Sequence, residues 1–331
     1  MAVDAGAVQE FDFLSTRKER GRIGGTVHAI TTFARRKPLG AFCGVMVIFF
    51  LIIGDFVPVA LNKVTSTVGL GEPVPLFVDF LEENTGFVYP YDEKNLRDRR
   101  APMSTEHLLG TDGTGQDIFS RLLYGARVAV IVSVAAVMIS ETIGAAIGII
   151  AGYYGGFTDK FLYRIVDVFQ ALPGLIVLIA ILGLLGSGLW EMVFAIGIIG
   201  GPPASRIIRG QTISLMTSPF IEAGKSIGAS DFRIMRRYVL PNVFALIILG
   251  STLRLGQIVL IEASLSFLGY GLPPPFPSWG QMLSIEGRTE MRVQPILAIA
   301  PGICIGLLVF SYNLFGDALR DVLDPRLRGS R

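Results

Sequence analysis

Charge is scarce in this sequence. Asp, Glu, Lys and Arg make up 17% of its 331 residues, against about 25% in an ordinary soluble domain. Water is therefore not the only solvent the chain meets. The charges nearly cancel, at a formal +2, which leaves no dense basic face of the kind that binds nucleic acid. Histidine is rarer still. His28 and His107 stand far apart, which argues against a histidine-rich metal site. Cys43 and Cys304 are the only cysteines, each inside an apolar run. Two are too few for a zinc cluster or a disulfide framework. No Ser/His/Asp group or metal-ligand cluster supports a membrane enzyme, so the chain is expected not to be catalytic. No secretory leader is evident, because the basic N-terminal stretch is long and the apolar run behind it exceeds a signal h-region.

Two short motifs are decoys. Gly224-Lys225-Ser226 looks like the end of a phosphate loop. That loop needs a glycine where Pro219 stands, and a strand before it. No nucleotide or other cofactor is expected in this chain. The stretch Thr111-Asp112-Gly113-Thr114-Gly115 reads as a turn and lacks the ligand spacing of a calcium loop.

What the sequence has in quantity is apolar surface, at 51% of residues. A helix needs about 20 apolar residues to cross roughly 30 Å of hydrocarbon. Six runs qualify: Leu39–Leu61, Ala126–Gly152, Phe161–Leu185, Leu189 to about Ser205, Pro241–Leu265 and Pro295–Phe315. The chain is thus expected to be an all-α polytopic membrane protein with six transmembrane helices. Basic residues set its orientation. They gather in the N-terminal tail (Arg17, Lys18, Arg20, Arg22, Arg35, Arg36, Lys37), in Ser205–Tyr238 (Arg206, Arg209, Lys225, Arg233, Arg236, Arg237) and at the end (Arg320, Arg326, Arg328, Arg331). With six spans these segments share one side, the cytoplasmic one, and both termini lie inside. The order is a cytoplasmic tail (1–37) and a first span (38–61), then an extracytoplasmic insertion and lead-in (62–125). A five-span core (126–317) with a cytoplasmic loop at 205–240 follows, and a cytoplasmic tail (318–331) ends the chain. Residues 23–33 are mildly amphipathic and suit a helix lying on the inner leaflet.

Within the spans, three features stand out. Gly144, Gly148 and Gly152 recur every fourth residue, on one helix face, where they admit a neighbouring backbone. Pro173-Gly174, Gly200-Gly201-Pro202-Pro203 and Pro301-Gly302 interrupt three runs, and each proline removes a backbone donor. Ionisable residues in or near the spans are Asp55, Glu141, Arg164, Asp167, Arg254 and Glu262. Each is expensive in hydrocarbon and should face protein or water. Glu141, Asp167, Arg254 and Glu262 are candidates for lining a path. Arg164 and Asp167, three apart, are expected to pair on one helix face.

The most informative stretch is Ser218–Asn242, SPFIEAGKSIGASDFRIMRRYVLPN. Ser218-Pro219 is a helix start. Glu222 falls in the first turns, where the helix dipole favours a carboxylate. Gly228 can end the helix, and Ser230-Asp231 can restart one. The result is a short helix lying across the membrane axis.

This stretch resembles the "EAA loop" of importer-type ABC permeases: Glu-Ala-Ala, then Gly, then Ile-x-Leu-Pro. The chain matches at Glu222, Ala223, Gly228, Leu240 and Pro241, and departs at Gly224 (alanine expected) and Tyr238 (isoleucine usual). Four more stretches are similar to the C-type permease subunit of the dipeptide/oligopeptide/nickel family. They are HLLGTDGTGQDIFSRLLYGAR (107–127), AGYYGGFTDKFLYRIVD (151–167), EASLSFLGYGLPPPFPSW (262–279) and GDALRDVLDPR (316–326). An aromatic common in that family near Ala204 is missing.

The resemblance implies a type I ABC importer permease fold in a bacterial or archaeal cytoplasmic membrane. Residues 218–241 would be the coupling helix and its exit, with Glu222, Ala223, Gly224, Gly228, Leu240 and Pro241 facing the ATPases. It implies a B-type permease partner, two cytoplasmic ABC ATPase subunits holding ATP and Mg, and an extracytoplasmic solute-binding protein that delivers a peptide. Nickel or another small solute remains open within the family. An ion-coupled secondary transporter is the rival class. Its paired, interrupted halves are not visible in the sequence.

Overall fold

In lipid a backbone must satisfy its own polar groups, and a helix does so within one segment. In the computed structural model, which describes residues 38–54, 77–284, 288 and 290–323, every regular element among those residues is helical. They are α1 (Pro38–Ile53), α2 (Phe77–Thr85), α3 (Ile118–Tyr154), α4 (Gly156–Ala171), α5 (Gly174–Leu185) and α6 (Leu189–Met216). Then come α7 (Pro219–Ser226), α8 (Asp231–Ile234), a π-turn (Met235–Val239), α9 (Leu240–Phe267), α10 (Trp279–Ser284) and α11 (Ile296–Leu323). The expected interfacial helix at 23–33, Asp55, residues 62–76 of the insertion and the terminal basic residues Arg326, Arg328 and Arg331 lie outside the described residues.

Four of the described helices are long and apolar enough to cross a membrane, or five if α4 and α5 form one bent span. The expected six are not all present among them. Helix α1 has 16 residues, about 24 Å at 1.5 Å per residue, and its expected continuation to Leu61 falls outside the described residues.

The third expected run is broken. Helices α4 and α5 meet at 85°. Pro173 disfavours the helical region for the residue before it, and Leu172 sits at φ −100°, ψ 143°. The other prolines break nothing. Helix α6 passes through Pro202 and Pro203 and continues to Met216, well beyond Ser205. Helix α11 likewise runs through Pro301. The fifth run starts earlier than Pro241, since α8, the π-turn and α9 form one path from Asp231 to Phe267. Pro241 has no N–H to give. Just ahead of it, the Leu240 N–H reaches the Met235 carbonyl across the wider π-turn.

Helix α3 is the axis of the fold. Asp117 caps it, its carboxylate accepting the Ser120 N–H at 2.7 Å. Gly155 ends it at φ +61°, a conformation that costs a side chain dearly. Three apolar clusters line its length, and α9 joins it in each. Near its start Leu122 packs with Phe50, Trp279 and Leu308. At mid-length Val132 meets Leu182, Met192 and Leu265. At its far end Ile149 meets Ile208, Ile221 and Val243.

Helix α6 lies so close to α3 that only glycine fits at several points. A Cβ on Gly144 would fall 2.5 Å from the Ala204 Cβ, one on Gly148 2.7 Å from the Ser205 carbonyl oxygen, and one on Gly152 2.7 Å from the Thr212 Cβ. The packing is reciprocal. Gly197 and Gly201 of α6 receive Ile139 and Ile143 of α3, where an added Cβ would fall 2.8 and 2.5 Å from those side chains.

Candidate functional site

At the far end of α3, a short connector stands where α6 turns into α9. Ser218 takes extended backbone (φ −82°, ψ 139°) and Pro219 opens α7, its missing N–H harmless at a helix start. Gly228 closes the turn at φ +76°. The Ala229 N–H reaches back to the Gly224 carbonyl at 3.1 Å and the Gly228 N–H to that of Lys225 at 3.0 Å. The helix is anchored on one face. Ile221 is fully buried in the cluster with Ile149, Ile208 and Val243. The opposite face is free, with Glu222, Ala223, Lys225 and Ser226 exposed. Exposed Phe220, Ile227 and Phe232 flank it.

The two departures from the family pattern face each other. Gly224 is buried, and a Cβ built on it would lie 3.8 Å from Tyr238 Cζ. The ring of Tyr238, larger than the usual isoleucine, covers the space an alanine methyl would approach. Tyr153 at the end of α3 donates its hydroxyl to Asp231 at 2.6 Å, and the Lys225 ammonium stands 5.9 Å from its ring centroid. Leu240 is half-buried and Pro241 exposed where the connector enters α9.

The second locus lies at mid-height. Sequence order separates Glu141 and Arg254, but the fold joins them: Arg254 Nε lies 3.1 Å from Glu141 Oε1. Arg254 Nη1 also donates to the Gly200 carbonyl at 2.8 Å and to Ser140 Oγ at 3.4 Å. One guanidinium thus ties α9 to both α3 and α6. It borders a cavity of about 250 Å3 between α5, α6 and α9, walled by Leu178, Ile196, Ile258 and Ile261, with Gln257 at its edge.

Glu262 lies two turns further along α9, fully buried, and accepts the Ser266 hydroxyl at 2.7 Å. Asp167 is elsewhere. It pairs with Arg206 of α6 at 2.8 Å and not with Arg164. The reason is the ladder that holds α4 on α6. Arg209 grips both oxygens of Asp159 at 2.5 Å and stacks over Tyr163 at 4.6 Å, and the Tyr163 hydroxyl meets Ser205 Oγ at 3.2 Å. Asp159 and Gln257 escaped the sequence reading, and the sequence marks Arg206 and Arg209 only as charges that set orientation. The signal for Gln257 was its place three residues after Arg254, on the same helix face.

At the opposite end, the lead-in folds on the first turn of α3. Asp112 accepts the Thr114 and Gln116 N–H groups at 2.7 and 3.0 Å and pairs with buried Arg121 at 2.6 Å. The Trp279 indole N–H donates to the Leu122 carbonyl at 2.9 Å. Arg100 reaches across to Glu290 at 2.7 Å. That hydrogen bond holds the Glu290 carboxyl below the ordinary glutamate range.

Residues 144–329 match the family described as "Binding-protein-dependent transport system inner membrane component". The chain is 41% identical over 246 residues to the "Glutathione transport system permease protein GsiD" of Pectobacterium atrosepticum, a match spanning 73% of this chain and 81% of that protein. It is 42% identical over 247 residues to the protein of that name from Escherichia coli, with the same coverage. Among solved structures, an inward-facing MetNI methionine ABC transporter chain aligns with a TM-score of 0.50 at 19% identity, over 62% of this chain and 97% of that one. At that identity the likeness is one of fold.

Proposed function

Because this chain belongs to the family of binding-protein-dependent transport system inner membrane components, we propose that it forms half of the translocation path of an ATP-driven importer of di- or oligopeptides. The observation that carries this reading is α7. It is anchored by Ile221 to the cluster that joins α3, α6 and α9, and it offers Glu222 and Ala223 outward. A push on that face passes directly into three spans. The peptide cargo rests on relatives named for glutathione, itself a tripeptide.

On this reading α7 and both termini lie in the cytoplasm. A second permease subunit of B type completes the path, and two ABC ATPase subunits hold ATP and Mg and dock on α7. A solute-binding protein delivers the peptide from outside. The chain itself does not hydrolyse ATP.

The test is uptake by the assembled importer in proteoliposomes. Uptake that needs ATP and the binding protein supports the reading. Uptake that follows a proton or sodium gradient without ATP refutes it. Orientation is tested separately. Single cysteines at Asp92 and Ser330, in a background lacking Cys43 and Cys304, should label oppositely with an impermeant thiol reagent in intact cells. Equal labelling overturns the orientation.

A further inference from the structure

The cavity beside Arg254 has a definite chemical character. A guanidinium carries five N–H donors. Nε of Arg254 is engaged by Glu141, and Nη1 by Gly200 and Ser140. Nη2 has no protein acceptor among the described residues, and the side chain is 21% exposed beside the cavity. The charge of Arg254 is already balanced by Glu141, so what remains is a donor without net charge. Such a group suits a neutral acceptor better than a free anion, which would add an unbalanced negative charge beside Glu141 in a low-dielectric site. Gln257, three residues on and exposed, adds an amide that both donates and accepts. The remaining walls are aliphatic, from Leu178, Ile196, Ile258 and Ile261.

A donor, a donor–acceptor amide and aliphatic walls complement one backbone amide with an adjoining side chain. We propose that this cavity is a subsite for a main-chain amide of the passing peptide. Arg254 Nη2 donates to the peptide carbonyl, and the Gln257 carbonyl accepts the peptide N–H. The aliphatic walls take a side chain without selecting it. Binding of this kind is short of the full complement a tight site uses, as a path that must also release requires. The inference rests on the chain being a peptide permease.

The test uses the whole importer with its binding protein in proteoliposomes, in a background lacking Cys43 and Cys304. A Gln257→Cys variant is offered a tripeptide bearing a chloroacetyl group on a lysine side chain. Position 257 should be alkylated during ATP-driven uptake, and an excess of the unmodified tripeptide should protect it. Uptake with position 257 unmodified overturns the subsite. Equal labelling without ATP or binding protein also overturns it. In parallel, Gln257→Leu should lower the maximal uptake rate about fivefold, the factor for one hydrogen bond. Half-saturation should stay unchanged, and Gln257→Asn should restore part of the rate. Unchanged uptake by Gln257→Leu counts against the amide contact. If the parent importer moves no peptide while hydrolysing ATP, the cargo reading fails instead, and the two failures stay distinct.

Discussion

Arg254 on α9 and Glu141 on α3 meet at 3.1 Å, with Arg254 21% and Glu141 9% exposed at their side chains. Two of the expected spans lie between them in the sequence, and each residue alone would be costly in hydrocarbon. Together they cost less, and the Gly200 carbonyl takes a further Arg254 donor at 2.8 Å. Removing one partner strands the other. We expect Glu141→Ala to destabilise the folded chain by about 3–5 kcal/mol, the usual range for a broken buried pair. The double variant Glu141→Leu with Arg254→Met should recover much of that loss in thermal unfolding of the purified complex. A double variant as unstable as the sum of the singles would show that the two residues act independently.

The α3–α6 contact makes a second prediction. A methyl group on Gly148 would fall 2.7 Å from the Ser205 carbonyl oxygen, on backbone that cannot step aside. Gly148→Ala should cost about 1–3 kcal/mol, as overpacking does. Gly302, also in a span, has nothing within 4 Å of an added Cβ, and Gly302→Ala should fold normally. The comparison is membrane abundance and detergent stability of the two variants. Equal behaviour would mean that α6 can retreat without loss.

The connector should fail in two different ways. Gly228 stands at φ +76° with open space around it, so only backbone strain opposes a side chain there. Gly228→Val should impair uptake severely. Gly228→Asn, which tolerates the left-handed region, should retain most of it. Glu222→Lys reverses an exposed charge without touching the core. It should leave the chain in the membrane at normal abundance while uptake falls and ATP hydrolysis uncouples or the ATPases detach. Wild-type uptake by Glu222→Lys and Gly228→Val, with ATPases bound, would remove α7 from the mechanism.

The Arg100–Glu290 pair makes an acid-side prediction. Its hydrogen bond lowers the Glu290 carboxyl in the folded chain. A lowered carboxyl adds stability that is present above the unfolded value and lost as pH falls through the folded one. Protection against hydrogen exchange across residues 99–113, taken relative to the intrinsic exchange rate at each pH, should thus be flat near neutral pH and fall only at acid pH, below the ordinary glutamate range. Glu290→Gln should show the weaker protection already at neutral pH, with the acid step reduced. An identical pH profile in that variant would assign the step to another group.

Much of this was legible in the chain itself. The spacing of Gly144, Gly148 and Gly152 announced a face without side chains, and Ser218-Pro219 and Gly228 bracketed α7. The course of the third run was not legible. Phe161–Leu185 reads as one span despite Arg164 and Asp167, yet it turns by 85° at Pro173, where Leu172 takes the extended backbone that a following proline favours. Prolines 202, 203 and 301 have the same chemistry and leave their helices unbroken. Local sequence does not separate the proline that breaks its helix from those that do not. Pairings failed for a like reason. Arg164 is near Asp167 along one helix, but Arg206 reaches it from α6. Gln257 looks like an ordinary polar residue until the fold sets it beside a cavity bordered by α5 and α6.

The interlocked glycines also bear on how this sequence can change. Each α-helical residue turns the next by about 100°, so one inserted residue between 144 and 152 would swing the later glycines off the contact face. The facing stretch 197–212 answers with its own glycines and small residues in fixed order. Length in these two stretches is therefore held as tightly as the glycines themselves. Ile143 or Ile208 can give way to residues of similar bulk, but a position gained or lost within either stretch needs a matching change in the other.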